Sequence, residues 1–375
     1  MQAPKDPIDA VTHPNPYPFY KDLREKSQVH WLVERKTWAA VSARAVTAAF
    51  HAECAKVRPP SEPIPGFLKG TRAGDVFGAL ARMNDGPAHH DQRARVMQLM
   101  RKLTGEAVAA GAAQAIGTAP KAWREKQDGA SLDQLIRRMP VTSICAALGF
   151  DEDLREAMLA STSAWVVGLS PLATDDQRQA AIEAMTRLLS MLDAAGVDRV
   201  EDAAAYVAAL MQPHEATAGL IGAGLLRLAE DAGVRDAALA CTLDWHAFGI
   251  EVLRHDPPVQ NTRRTLAADV TIEGARMRAG DTVLLILAAA ARDPAVHESP
   301  EAFRMDRATR TELPLGAGAH ACPGGAAALA IAACTWRHVV ERASSSGLEA
   351  LAQEVSWQPS INARIPVFGP APMRE

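Results

Sequence analysis

The chain has 375 residues, 48% of them hydrophobic, so its length allows one large domain or two ordinary ones around an ample core. A formal net charge of −4 and a pI near 6.3 give no electrostatic case for a nucleic-acid partner. Five cysteines (Cys54, Cys145, Cys241, Cys322 and Cys334), odd in number, widely spaced and without a Cys-x-x-Cys pair, argue against a disulfide framework and a four-cysteine zinc site.

The first residues lack an apolar signal core. The longest apolar run, Val283 to Ala291, is too short to cross a bilayer. The expectation is a soluble cytoplasmic protein with no membrane contact. A proline-rich arm over residues 13–24 runs into a short helix from about Pro18. Val29 to Val33 and Thr37 to Val41 read as a two-stranded hairpin, with Glu34 to Lys36 at its turn. Residues 58–70 are rich in proline and glycine and read as loop.

Asp85 and Pro87 open a helix on which His89 and Arg93 stand four residues apart, on one face. Taken alone, that is a solvated helix face. The pattern from about Leu103 to Gly149 is helical, and two further helices cover residues 151–168 and 175–196. Residues 203–229 form a long central helix. Pro213 removes one of its N–H groups, frees the carbonyl of Ala209 and predicts a kink. Glu215 places a charge in this apolar helix, which points to function, with an i,i+4 surface partner as the plainer alternative. His214 opens no His-Glu-x-x-His zinc motif, because residue 218 is Ala218.

Glu251 and Arg254 can pair across one helical turn. Further on comes a glycine-punctuated loop, residues 313–325. Gly316 and Gly318 permit positive φ, Pro323 suits the first helical position, and Gly324 and Gly325 leave room for a flat ligand or a neighbouring backbone. The loop delivers Cys322 to the start of an alanine-rich helix, where the positive dipole end favours thiolate, the metal-binding form. A buried cysteine beside a turn is the bland alternative. Residues 356–368 read as a final hairpin.

The run Leu315, Gly316, Gly318, His320, Cys322 and Gly324 resembles the cysteine loop of the cytochrome P450 family, the haem-thiolate monooxygenases, with Leu315 where phenylalanine is usual. His89 and Arg93, Glu251 and Arg254, and Arg307 stand at the family's order and spacing, so the resemblance covers nearly the whole chain. It implies a mainly α fold with small β-sheets (α+β), a single triangular helical domain over residues 1–375, of the bacterial soluble type. It implies haem b, with Cys322 as the iron ligand and His89, Arg93, Arg264 and His320 on the propionates; Gly316 and Gly324 would lie against the haem. Glu251, Arg254 and Arg307 would form a structural network. Phe67, Leu68, Val166, Leu210, Ala216 and Val259 would line a largely apolar pocket.

The chain departs from the family at the central helix. Gln212 and Pro213 replace the usual Ala-Gly, Glu215 keeps the acid, and Ala216 stands where threonine is usual, with Thr217 next. Proton delivery then falls to water, substrate, Gln212, His214, Glu215 or Thr217. The implied reaction inserts one atom of O2 into a small organic substrate, with electrons from a separate ferredoxin and ferredoxin reductase. The altered helix leaves open a peroxide-driven or non-oxygenating haem enzyme, and a non-catalytic haem-binding protein.

Overall fold

Helices dominate the residues that the computed structural model describes, which are 2–119, 123, 125, 128–308 and 313–369. In chain order they are α1 (Tyr17–Lys26), α2 (Ala43–His51), α3 (Arg72–Gly78), α4 (Gly86–Met100), α5 (Gly105–Gly117), α6 (Gly129–Ala147), α7 (Glu152–Leu169) and α8 (Asp175–Ala194). There follow α9 (Val200–Glu230), α10 (Ala232–Leu239), α11 (Trp245–His255), α12 (Leu287–Ala290), α13 (Gly325–Val340) and α14 (Ser345–Ala350). The strands are β1 (Val29–Leu32), β2 (Thr37–Ala40), β3 (Ala55–Lys56), β4 (Thr262–Leu266), β5 (Val270–Ile272), β6 (Ala275–Met277), β7 (Thr282–Leu285), β8 (Val355–Trp357) and β9 (Pro366–Phe368). The helical stretch expected over 103–149 falls partly on residues 120–122, 124 and 126–127, which lie outside the described residues.

Short polar side chains set where helices begin. Asp128 and Ser131 form a reciprocal capping box at α6, and Thr174 and Gln177 form another at α8. Asp151 accepts from the Leu154 amide at α7, and Asp244 from the His246 and Ala247 amides at α11. Each satisfies N–H groups that a helix start leaves without partners.

The residues divide into two compact units. The first comprises Met1–Pro60, Gly219–Cys322 and Val339–Glu375. Its main sheet has five strands in the order β1-β2-β7-β4-β3, with β2 and β7 parallel and the other pairs antiparallel. Val283 and Leu285 of β7 pack with Val46, Leu266 and Leu313, whereas Leu284 packs with Tyr20, Val41 and Ile286. Alternate side chains thus enter cores on opposite faces, which is why the stretch from Val283 onward is an unbroken apolar run. Its last part is α12, buried throughout.

At the C-terminal end, β8 and β9 pair with Val355 opposite Phe368. The loop between them meets the segment after α11: Val259 bridges Ala363, the Gln260 amide donates to Asn362 O at 2.8 Å, and Asn261 Nδ2 donates to Ile361 O at 2.9 Å.

The second unit comprises Ser61–Ala218 and Pro323–His338. Its helices α7 and α8 pack closely, because Gly168 lacks a side chain: a Cβ there would stand 2.3 Å from the Ala181 Cβ. The central helix α9 continues through Pro213 as one helical element, just as α6 continues through Pro140.

Candidate functional site

In the first unit, the loop before α13 is built by backbone bonds that turn it back on itself. The Gly316 amide donates to Leu313 O at 2.9 Å, that of Ala321 to Gly318 O at 3.1 Å and that of Cys322 to Leu315 O at 2.8 Å. Gly316 and Gly318 have φ of +79° and +66°, values that L side chains rarely adopt, so both glycines are required by the path. Cys322 emerges exposed and His320 half-buried. The helix begins at Gly325, so Pro323 occupies the turn before it and not the first helical position expected from the sequence. Gly324 accepts from the Ala328 amide at 2.9 Å and so carries the helix-initiating carbonyl itself.

Phe50, at the end of α2, was not flagged by sequence and organises this corner. Its ring lies 5.3 Å from the guanidinium of Arg264, and a Cβ on Gly316 would come within 4.0 Å of it. His51 stands closer still to Gly318, at 3.5 Å from the position of a Cβ. Arg264 is buried at 7% exposure, and its Nη1 donates to Arg263 O at 2.9 Å. Its neighbour Arg263 is exposed, because consecutive strand residues face opposite sides. A hydrophobic residue at the end of a helix carries no motif, so nothing in the sequence set Phe50 apart.

A buried ionic cluster centres on α11. Glu251, on α11, accepts from Arg254 Nη2 at 2.7 Å and Nε at 2.9 Å, from Arg307 Nε at 3.1 Å and from the Arg304 amide at 2.8 Å. Arg254 also donates to Pro300 O at 2.8 Å and Ala302 O at 3.0 Å, and Arg307 to Glu298 O at 2.6 Å. The segment 298–307, which leads toward the cysteine loop, is thereby pinned to α11.

A second cluster surrounds His255 at the end of α11. Its Nδ1 accepts from Arg292 at 2.9 Å and Arg227 at 3.1 Å, while Nε2 lies 3.1 Å from Glu301 O. Burial first, then the charges of Arg292 and Arg227, push this histidine down to about 2. Two clefts here are lined by Arg227, His255 and Phe303, and by none of the pocket residues expected from the sequence.

In the second unit, α4 carries His89, 3% exposed, and half-buried Arg93 one turn apart. Along α9, Gln212, His214, Glu215 and Ala216 are half-buried, and Leu210 and Thr217 are buried at 0% and 1%. His214 Nε2 lies 2.9 Å from Ser163 Oγ of α7. Its Nδ1 is buried with no hydrogen-bond partner. Burial, reinforced by the charge of Arg137, lowers its pKa to about 4. Sequence singled out His214 but not Ser163, whose partner is 51 residues away.

The remaining pocket residues divide. Leu68 is fully buried, and a Cβ added at Gly74 would strike its carbonyl. Phe67 is half-buried with Arg178 5.9 Å from its ring, and Val166 is half-buried. Val259 packs against the sheet core.

The donor set fits a haem. An exposed soft sulfur suits iron, and guanidinium and imidazole groups suit paired carboxylates. Gly324 leaves an open face, since a Cβ there would meet only Met100 Cε at 4.0 Å.

A family model described as Cytochrome P450 matches residues 247–340. Cytochrome P450 144 of Mycobacterium tuberculosis is 26% identical, over 93% of this chain and 87% of its own. Cytochrome P450 monooxygenase PikC of Streptomyces venezuelae is 29% identical over 61% of this chain and 60% of its own. Among solved structures, P450 RauA in complex with a biosynthetic intermediate of aurachin RE superposes with a TM-score of 0.79 at 20% identity, over 97% of both chains.

Proposed function

The chain belongs to the cytochrome P450 family, and from that premise we propose that it is a cytoplasmic haem-thiolate monooxygenase whose residues 1–375 act as one haem domain. It inserts one atom of O2 into a small, largely apolar organic substrate and releases the other as water. The observation that carries the reading is the closed backbone loop that presents exposed Cys322 between positive-φ glycines and the start of α13.

A haem ligated by thiolate supplies electron-rich iron, which favours O–O cleavage. This chain's own residues bind and orient it. Cys322 provides the sulfur. Arg264, held by Phe50, together with His89, Arg93 and His320, provides cations and donors for the two propionates. The Glu251–Arg254–Arg307 cluster keeps the approach to the loop rigid. Gln212, His214, Glu215 and Thr217 supply the polar groups of α9 from which protons are drawn, while Phe67, Val166, Leu210, Ala216 and Val259 favour an apolar substrate. Electrons come from a ferredoxin and its reductase. Exposed Arg101, Lys102 and Arg337 are suitable cations for an acidic donor.

A second reading has a specific observation in its favour. Ala216 removes the alcohol usual at that position, and peroxide as oxidant would dispense with part of the proton delivery.

The test is spectroscopic. The reduced, CO-saturated protein should show the red-shifted Soret band of thiolate ligation, and Cys322→Ser should abolish it. A band that survives the substitution would remove Cys322 as the ligand. Turnover with NADH, a ferredoxin and its reductase, compared with peroxide alone, separates the two oxidants.

A further inference from the structure

We propose that Arg364 is a positioning residue for substrate: through its buried guanidinium, the N-terminal arm and Asp256 set where Val259 stands. The proposal rests on the monooxygenase reading, which puts Val259 against an apolar substrate.

The backbone on both sides of Val259 is held by one loop, that between β8 and β9. The Arg364 amide donates to Pro258 O at 2.7 Å, Ala363 bridges Val259, and the Gln260 amide donates to Asn362 O at 2.8 Å. Asn261 Nδ2 extends this ladder by its bond to Ile361 O at 2.9 Å. Val259 is half-buried, whereas Pro258 and Gln260 on either side of it are buried. A shift of residues 361–364 therefore carries Val259 with it.

The Arg364 side chain is what fixes those residues. It is 3% exposed. Nε donates to Asp256 Oδ1 at 3.1 Å, Nη1 to Val11 O at 3.0 Å and His13 O at 2.7 Å, and Nη2 to Pro14 O at 3.0 Å. Four of the five N–H groups of the guanidinium are thus engaged. The Trp357 ring centre lies 3.4 Å from the guanidinium carbon, and the Tyr17 hydroxyl donates to the same Asp256 carboxylate. The backbone of Arg364 is confined as well. A Cβ on Gly219 of α9 would stand 2.8 Å from Arg364 O, so the missing side chain there lets the loop lie against the helix.

This arrangement needs an arginine. One carboxylate and three carbonyls surround the group in different directions, which suits a rigid planar fork; a lysine has one nitrogen to serve them all. The arm presents its carbonyls on a backbone stiffened by Pro14 and Pro16. The hydrogen bonds of the Arg364 side chain go to the arm and to Asp256, so it acts on Val259 through its own backbone and is not a catalytic residue.

The closing experiment uses the full haem-loaded chain as wild type, Arg364→Gln and Arg364→Lys. Imidazole and phenylimidazole are titrated and read by the Soret shift; both offer a nitrogen to iron, and only the second carries an apolar ring to the wall. Arg364→Gln should weaken phenylimidazole by about tenfold, as loss of a methyl-sized contact in an apolar pocket does, and leave imidazole within about twofold. Arg364→Lys should move phenylimidazole in the same direction by less. If Arg364→Gln does not load haem, Arg364→Lys decides.

In parallel, amide exchange is followed at Gln260 and residue 364, with the Ile286 amide of the sheet, bonded to Ala40 O, as reference. The first two should exchange about tenfold faster or more in Arg364→Gln, as loss of charge-assisted hydrogen bonds predicts, with Ile286 unchanged. Faster exchange with phenylimidazole affinity intact overturns the positioning role and leaves the monooxygenase reading standing. Equal weakening of both probes, or equal acceleration of all three amides, shows general loosening and overturns it too. A wild type without the thiolate band in CO removes the reading, and the proposal with it.

Discussion

Removing the carboxylate of Glu251 tests whether the ionic cluster on α11 holds the segment 298–307 in place. Glu251 and Arg254 side chains are 4% and 3% exposed, and that of Arg307 is 6% exposed. Glu251→Ala leaves both guanidiniums buried without their carboxylate, and breaking a buried pair in this way costs about 3–5 kcal/mol. Three backbone carbonyls still accept from Arg254 and three from Arg307, which favours the lower half of that range. An unfolding entropy of about 2.1 cal/mol/K per residue over 375 residues gives about 0.8 kcal/mol/K, so a loss of about 3–5 kcal/mol lowers Tm by about 4–6 °C. Circular dichroism at a fixed scan rate measures this. Arg304→Ala is the control, because among the described residues its side chain pairs with exposed Asp306 alone while its amide still reaches Glu251. It should leave Tm unchanged. Because segment 298–307 leads to the cysteine loop, Glu251→Ala should also weaken haem retention. A Tm within about 1 °C of wild type, where at least about 4 °C is expected, would refute the claim that the cluster organises this segment.

Two further outcomes follow from burial and packing. His214 and His255 have folded pKa values depressed to about 4 and about 2 from 6.5, so each favours the folded state fully above pH 6.5 and loses that contribution as pH falls toward its folded value. Between pH 6.5 and about 4.5 each should remove roughly 1–1.4 kcal/mol per pH unit, read from urea unfolding at stepped pH, and His214→Asn should flatten part of the slope; a stability flat over that window would contradict the assigned neutral rings. Gly168→Ala should push α7 from α8 and cost about 1–3 kcal/mol, whereas Gly117→Ala, with open space at its Cβ position, should be neutral or slightly stabilising by thermal melt; equal effects would refute the close approach of the two helices.

Local chemistry made most of the helices legible. The helices over residues 151–168 and 175–196 were read within two residues of α7 and α8, because Asp151 and Thr174 are caps that announce themselves by residue type. The first hairpin was legible from two short apolar runs on either side of the polar stretch Glu34 to Lys36, and Lys36, with φ of +47°, closes it where the turn was expected. What could not be read was pairing over distance. Nothing in the sequence says that β2 runs parallel to β7, or that residues 259–261 meet residues 361–363. Those contacts depend on two segments agreeing in shape, and neither segment carries the information alone. Pro323 was misplaced for a smaller reason: proline tolerates both the first helical position and the turn before it, and the carbonyl of Gly324 decided between them.

The same distinction separates the two halves of the candidate chemistry. The turn that carries Cys322 was legible because Gly316 and Gly318 both take the positive φ that only glycine adopts cheaply. The supporting groups were not legible. Phe50 steadies Arg264 from a helix end 214 positions earlier in the chain, and Ser163 meets His214 across 51 residues. A motif records the residue that must touch the reacting group, because its spacing is constrained by one local backbone path. The residue that orients it answers only to a distance in space, so many positions can supply it and none is marked.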